Sequence, residues 1–301
     1  MRVGVVDVGT NTVRLLIADA TKDSLIPVEH AREITRLGKG VDARKRLDPV
    51  QSKRSLDVIA SYVERAKAAD AERIRVAGTS ALRDAEDGMA FAHTVRERTG
   101  VELEILRGID EGKLSFIGAT SDLPDGTYLV CDIGGGSTEL TVGRDGPAAT
   151  ISLDVGSVRL KERLLRDDPP SASQVQSVYS RVQDLLEKTN FELMVTGTET
   201  LVGVGGTITT LAAVVLGLRA YDSNAVHHAH LAAADVSKTV ERLRRMRVHE
   251  IRRLGVVESG RADVITAGSL VLRFVMERWS FAGCVVSERD ILDGLALDLV
   301  R

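Results

Sequence analysis

The sequence predicts an α/β protein in which one plan is used twice. Three observations carry this. Short apolar runs alternate with segments of helical periodicity along the 301 residues, the pattern of a sheet fed by helices. The stretch VVDVGTNTVRL at 5–15 is echoed by VCDIGGGSTEL at 130–140. Asp7, Gly9, Thr12 and Leu15 match Asp132, Gly134, Ser137 and Leu140 at a constant offset of 125 residues, without a gap. Between the copies, Asp122-Leu123-Pro124-Asp125-Gly126 is turn chemistry, so the domains are expected at 1–121 and 122–301.

The first half opens on an apolar run at 3–6, read as a buried strand, with a second strand at 13–19 and a third at 32–37. Pro49 begins a helix that lines Leu56, Ile59, Tyr62, Val63 and Ala66 along one face, since proline fits the first helical turn. A strand at 74–77 leads into TSALRDA at 79–85. A helix near 87–99 stops at Gly100, a glycine being the usual C-terminal signal. A strand at 101–106 and a helix at 111–119 complete the half. The pattern then restarts with strands at 128–131, 139–142 and 150–153. Helix 174–188, strand 201–204, an apolar helix from Ile208, helix 261–279, strand 284–287 and a terminal helix near 290–299 follow.

Bulk composition narrows the function. Hydrophobic residues at 44% and charged residues at 28% describe a globular chain, and its length allows about two domains of roughly 150 residues. A net charge of −3 argues against a dedicated nucleic-acid binder. Aromatics at 3% leave few platforms for stacking bases. Cys131 and Cys284 have no metal-type spacing and read as buried thiols. The chain opens directly on a strand, without a signal peptide, and no apolar run approaches the ~18 residues of a membrane span. The expectation is a cytoplasmic protein without nucleic-acid or membrane partners.

Three glycines in a row, Gly134, Gly135 and Gly136, are a poor choice for any regular element. They suit a tight turn whose backbone N–H groups converge on an anion, above all phosphate. Ser137 and Thr12 add hydroxyls. Asp7 and Asp132 end apolar strands, where a carboxylate is costly without a cation or donors; magnesium, which takes carboxylate and phosphate oxygens, would satisfy them. A third glycine turn, Gly205-Gly206-Thr207, precedes a helix, itself an anion site. Each turn alone could be a plain hairpin. The pair is better explained as two nests facing each other across a cleft.

In order along the chain, DVGTNTVRLL, TSALRDA, GIDEGKLSFIGA, DIGGGSTEL, LDVGSVRLKERLL, GVGGTITTLAA, GRADVITAGSLVL and VSERDILDGLAL resemble the segments of the exopolyphosphatase and guanosine pentaphosphate phosphatase family. The resemblance spans essentially the whole chain, and the last segment is most similar to the short, two-domain actinobacterial-type members. It implies two duplicated ribonuclease H-like (actin-like) domains across a cleft, with residues 288–301 packing back on the first.

The resemblance also implies a reaction: magnesium-dependent hydrolysis of the terminal phosphoanhydride of inorganic polyphosphate. Glu111 would be the base that aims water. On pattern alone it is a glutamate favoured by a helix N-terminus. Its neighbours Asp110 and Gly112 depart from the family's Glu and Ala. Asp132 and Glu139 would serve Mg2+ or the lytic water. Asp7, Gly9, Thr10, Asn11, Thr12, Arg14, Gly134, Gly135, Gly136, Ser137, Gly205, Gly206 and Thr207 would surround phosphates, with Arg83 and Arg261 beside them. Within the repeat Arg14 stands where Glu139 stands, so we expect Arg14 to meet substrate charge and Glu139 the metal.

Guanosine pentaphosphate hydrolysis, a non-catalytic phosphate or nucleotide sensor and a sugar kinase are the competing functions; a homodimer is expected from relatives. The basic run Lys238, Arg242, Arg244, Arg245, Arg247, Arg252 and Arg253 reads as a solvated helix face in preference to a polyanion track. His227, His228 and His230 read as a loop of exposed imidazoles in preference to a metal site.

Overall fold

The computed structural model describes residues 1–22 and 24–301, with the side chain of Leu193 left out of the description. The chain divides into two units, Met1–Ser121 with Arg289–Arg301, and Asp122–Glu288.

In the first unit, successive side chains of β1 (Arg2–Val8) point to opposite faces, and residues 3–8 are all buried, so both faces are covered. It pairs antiparallel with β2 (Thr12–Ala20), which pairs antiparallel with β3 (Leu25–Ile34). The third strand therefore lies earlier than the 32–37 expected: its outward residues Ile26 and Val28 are exposed, and an exposed edge gives no clean alternation to read. A short α1 (Val41–Arg44) precedes α2 (Pro49–Ala68), whose N-cap Asp48 accepts from the Val50 and Gln51 amides at 3.0 and 3.2 Å. Such a cap contributes about 1 kcal/mol. Then come β4 (Arg73–Gly78), α3 (Ser80–Asp84), α4 (Gly88–Thr99), β5 (Leu103–Ile105) and α5 (Gly108–Thr120).

The second unit runs β6 (Tyr128–Ile133), β7 (Thr138–Gly143), β8 (Pro147–Leu153), α6 (Ser157–Arg163), α7 (Ala172–Leu186), α8 (Glu192–Val195), β9 (Thr200–Val204) and α9 (Gly206–Val215). It continues through α10 (Ser223–Val226), β10 (His230–Ala232), α11 (Ala233–Leu243), α12 (Val248–Arg252), α13 (Ile265–Arg278) and β11 (Gly283–Val286). The chain then returns to the first unit as α14 (Ile291–Asp298).

The two sheets repeat one topology. The first has the order β3-β2-β1-β4-β5; the second, β8-β7-β6-β9-β11, with β10 added antiparallel at its edge. In each, the first three strands are antiparallel and the next two join in parallel. The duplicated α/β, ribonuclease H-like class predicted from the sequence is the class observed.

Alternation along β1 sorts its side chains between two cores. Val6 and Val8 join Ile59, Val63 and Val95 of α2 and α4; Val3 and Val5 join Leu114 of α5 and Leu295 and Ala296 of α14. Asp7 shares the parity of Val3 and Val5, and Arg14 that of Leu16 and Ala18, so both point to the face covered by α5 and α14. Those two helices meet through glycine. A Cβ on Gly294 would lie 2.0 Å from the Leu114 carbonyl oxygen, and one on Gly118 would lie 1.8 Å from that of Asp290.

Candidate active site

The two predicted turns are the same turn. Gly9 N–H donates to the Thr12 carbonyl at 3.0 Å, and Gly134 N–H donates to the Ser137 carbonyl at 3.0 Å. In the first hairpin Asp7 pairs across the strands with Arg14; in the second Asp132 pairs with Glu139. Directly paired residues share a face.

The carbonyls at both turns are tied down from behind. Those of Thr10 and Asn11 accept from Gly38, Thr35 and Arg36 amides at 2.8–3.1 Å. Those of Gly134 and Gly135 accept from Ser157, Val158 and Arg159 at 2.8–3.1 Å, and Arg159 Nε donates to the Gly136 carbonyl at 2.6 Å. Arg159, buried at 6% exposure, supports the second turn and was not among the predicted residues. Its signal was the segment LDVGSVRLKERLL, which places a basic residue one turn into the helix after β8.

In the first unit, Arg14 Nε and Nη2 both reach Asp7 Oδ2, at 2.9 and 2.8 Å, and Nη1 donates to Asp290. Burial alone would lower the Arg14 guanidinium; the charges of Asp290 and Asp7 outweigh it and raise it above its ordinary value. Burial raises the Asp7 carboxyl, opposed by Arg14. Asp7 Oδ1 is buried and meets no hydrogen-bond partner among the described residues. Asp290 was missed by the sequence reading, because nothing local in SERDILDG marks a partner 276 residues away.

Glu111 sits in the first turns of α5, where the helix dipole favours a carboxylate, and is 7% exposed. Arg83, in the last turn of α3, donates from Nη1 to Glu111 Oε2 at 3.2 Å and to the Leu106 carbonyl at 2.8 Å. The neighbouring Asp110 turns instead to Arg107, at 2.7 and 3.1 Å, whose hydrogen bonds hold it below the usual carboxylate range.

In the second unit Asp132 and Glu139 are 8% and 1% exposed, and Ser152 Oγ donates to Glu139 Oε1 at 2.6 Å. The third turn closes on the same place. Gly205 has φ of 87°, a left-handed conformation that a side chain disfavours. A Cβ on it would lie 2.9 Å from Asp132 Oδ1. A Cβ on Gly206 would lie 2.0 Å from Arg261 Nη1, so the missing side chain lets the guanidinium cover the start of α9. Arg261 Nε also donates to Glu258 at 3.1 Å. The second unit thus gathers Asp132, Gly205, Gly206 and Arg261.

These groups suit a hard divalent cation: two buried carboxylates stand directly opposite each other and offer oxygen ligands. Asp132 and Glu139 would hold it.

Other predicted features lie elsewhere. His228 and His230 are exposed as expected and His227 is half-buried; the His227 and His228 rings stack at 3.8 Å, and their Nε2 atoms face the two oxygens of Asp122 at 3.0 and 3.4 Å. The three groups are close enough to share a metal. However, His227 Nδ1 accepts from the Glu288 amide at 3.1 Å. Its proton therefore sits on Nε2, where it donates to Asp122. His230 is not in a loop but in β10, paired with Val285. The basic run spans α11 and α12 and the turns after them; Val236, Val240 and Leu243 form the buried side of α11, and Arg244 and Arg245 both pair with Glu241. Helix α13 begins at Ile265, later than expected, because Arg261–Val264 forms a turn closed by Val264 N–H to the Arg261 carbonyl at 3.0 Å. Burial pushes both thiols up, Cys284 to about 12, so neither supplies a thiolate. A groove of about 720 Å³ between β3 and α2 is lined by none of the predicted site residues, and its Arg54 and Arg65 pair with Glu33 and Glu29. Among the described residues no helix is long and apolar enough to cross a membrane.

A duplicated α/β scaffold with a glycine turn beside a buried aspartate in each unit frames the class of protein, and comparison with known proteins identifies it. The chain belongs to the Ppx/GppA phosphatase family, whose model matches residues 16–301. It is 37% identical to exopolyphosphatase 2 of Mycobacterium tuberculosis, over 99% of this chain and 98% of that protein. Among solved structures, an exopolyphosphatase-like protein superposes with a TM-score of 0.94 at 32% identity, covering 100% and 99% of the two chains. The Aquifex aeolicus family member superposes at 0.85 with 30% identity, covering 100% and 97%.

Proposed function

We propose that the protein is an exopolyphosphatase that removes orthophosphate from the end of inorganic polyphosphate with the help of Mg2+. The observation that supports this most is the matched pair of turns. Each unit carries a glycine turn with its carbonyls tied inward, beside a buried aspartate, and the cross-strand partner is cationic in one and anionic in the other. In this reading each turn binds phosphate of the substrate through its own backbone N–H groups. The tied carbonyls turn their negative ends away from the phosphates.

Glu111 accepts a proton from the attacking water as its oxygen bonds to the terminal phosphorus. The bond from that phosphorus to the bridging oxygen breaks, and the shortened chain leaves with the electron pair. Such a transfer depends on positioning and charge neutralisation more than on covalent help. Arg83 orients the Glu111 carboxylate, and Arg14 and Arg261 meet phosphate charge. Asp132 and Glu139 would hold Mg2+, which would supply further neutralisation of phosphate charge. Polyphosphate is preferred over guanosine pentaphosphate because the relative named above is an exopolyphosphatase and because aromatic walls for a base are scarce, at 3% of residues.

The test is phosphate release from long polyphosphate, short polyphosphate, guanosine pentaphosphate and ATP, with and without Mg2+. Fastest release from polyphosphate, dependent on Mg2+, is the expected result. Preference for guanosine pentaphosphate would replace the substrate, and binding without release from any of them would make the protein a sensor. Light scattering checks the homodimer that this reading includes.

A further inference from the structure

Asp290 is the second residue after the chain re-enters the first unit and the N-cap of α14. It is 5% exposed. Its two oxygens have different tasks. Oδ1 accepts from the Leu292 amide at 3.0 Å and starts the helix; Oδ2 accepts from Arg14 Nη1. Its own amide donates to Asp293 Oδ2 at 3.1 Å, closing a capping box that fixes the backbone beneath the carboxylate. The position is reinforced from α5, since Gly118 packs directly against the Asp290 carbonyl.

Arg14 is therefore gripped by two carboxylates that belong to different elements. Asp7 comes from the sheet and takes Nε and Nη2; Asp290 comes from α14 and takes Nη1. A planar guanidinium held on two edges loses its freedom to rotate, and its orientation becomes a property of the fold. Ordering a long side chain before the ligand arrives removes that cost from binding.

We propose that Asp290 is a positioning residue for the first phosphate turn: it fixes the Arg14 guanidinium so that the N–H groups not used by the two carboxylates meet substrate phosphate. This deepens the polyphosphatase reading and rests on it. The idea makes a prediction opposite in sign to simple electrostatics. Removing a negative charge beside a polyanion site should tighten binding if charge alone matters; loss of positioning should weaken it.

The Asp290→Asn variant keeps an oxygen for the Leu292 amide and loses the charge. Tripolyphosphate binding by calorimetry, and KM and kcat for polyphosphate, are measured beside thermal unfolding. The expected result is a rise of about tenfold in Kd and KM, equivalent to about 1.4 kcal/mol. The accompanying change in kcat is expected to be less than about threefold, as for a lost ground-state contact. In an Arg14→Ala background the same substitution should add nothing, because its route is gone. An unchanged or tighter Kd in folded Asp290→Asn, or the same rise without Arg14, overturns the proposal. If Asp290→Asn does not fold, Arg14→Lys decides: it keeps the charge but cannot be gripped on two edges, and an unchanged KM overturns the proposal. A wild-type protein that binds tripolyphosphate yet hydrolyses no substrate removes the enzymatic reading, while the calorimetric comparison still judges Asp290.

Discussion

Arg83 Nη1 lies 3.2 Å from Glu111 Oε2 while donating to the Leu106 carbonyl at 2.8 Å, so one nitrogen joins the end of α3, the segment after β5 and the start of α5. A carboxylate held this way is oriented before any substrate binds. Glu111→Gln keeps the shape and an oxygen for Arg83 but cannot take a proton. Phosphate release should fall by about 10²–10⁴-fold, the usual range for a lost general base, with thermal unfolding little changed. Near-normal turnover would remove Glu111 from that role.

The pairing of Asp132 with Glu139 predicts how the second unit responds to metal. Asp132→Asn and Glu139→Gln should each raise the Mg2+ concentration for half-maximal activity by about tenfold or more. Protection by Mg2+ against thermal unfolding should shrink with it, since a ligand stabilises only in proportion to its binding. Mg2+ protection equal to that of the wild type in both variants would place the ion elsewhere.

The helix contact at Gly118 and Gly294 is backbone against backbone, so neither neighbour can yield cheaply. Gly294→Ala should destabilise the protein by about 3 kcal/mol or more, the upper range for overpacking. Because α14 also starts at Asp290, activity at temperatures where the variant is folded should fall as well. Denaturant unfolding and phosphate release measure the two effects.

Asp293 gives a pH dependence. Burial, and then the charge of Asp290, raise its carboxyl from 3.8 to about 7. Between those values the folded protein binds the proton that the unfolded chain releases. This group's contribution therefore weakens as pH rises from about 4 to about 7 and stays weak above, by an amount on the order of 4 kcal/mol. Asp293→Asn retains an acceptor for the Asp290 amide and removes the titration. Its melting temperature should exceed that of the wild type at pH 8, and the two should converge near pH 4. Parallel curves across that range would show that Asp293 does not titrate there.

Much of the fold was legible because its cause is local. Apolar runs set β1, β2, β6 and β7, Pro49 set the start of α2, and Gly100 the end of α4. The edge strand β3 was displaced because Ile26 and Val28 face solvent, which breaks the alternation that identifies a half-buried strand. The basic run read as a helix face lies on α11 and α12, and the apolar side of α11, Val236, Val240 and Leu243, is spaced too sparsely among charges to mark the helix start. At the site, the turns and Glu111 carry short sequence signatures. Asp290 does not show its role, because its partner lies 276 positions away and only tertiary packing supplies it; Arg159 lies in a legible segment, but its target, the Gly136 carbonyl, is set by packing. The pairing of His227 with Asp122 was illegible for the same reason, Asp122 lying 105 positions before it, whereas His228 and His230 are exposed as expected.

The shared register of the two hairpins has a consequence for how such a protein could arise. A copied hairpin brings two turns of identical sign, each suited to the same kind of ligand. A change at one place, the residue facing the strand-end aspartate, is enough to break that symmetry. Arginine there sets a cation between two carboxylates, Asp7 and Asp290, while glutamate there sets two carboxylates side by side, and one inherited plan presents two unlike surfaces.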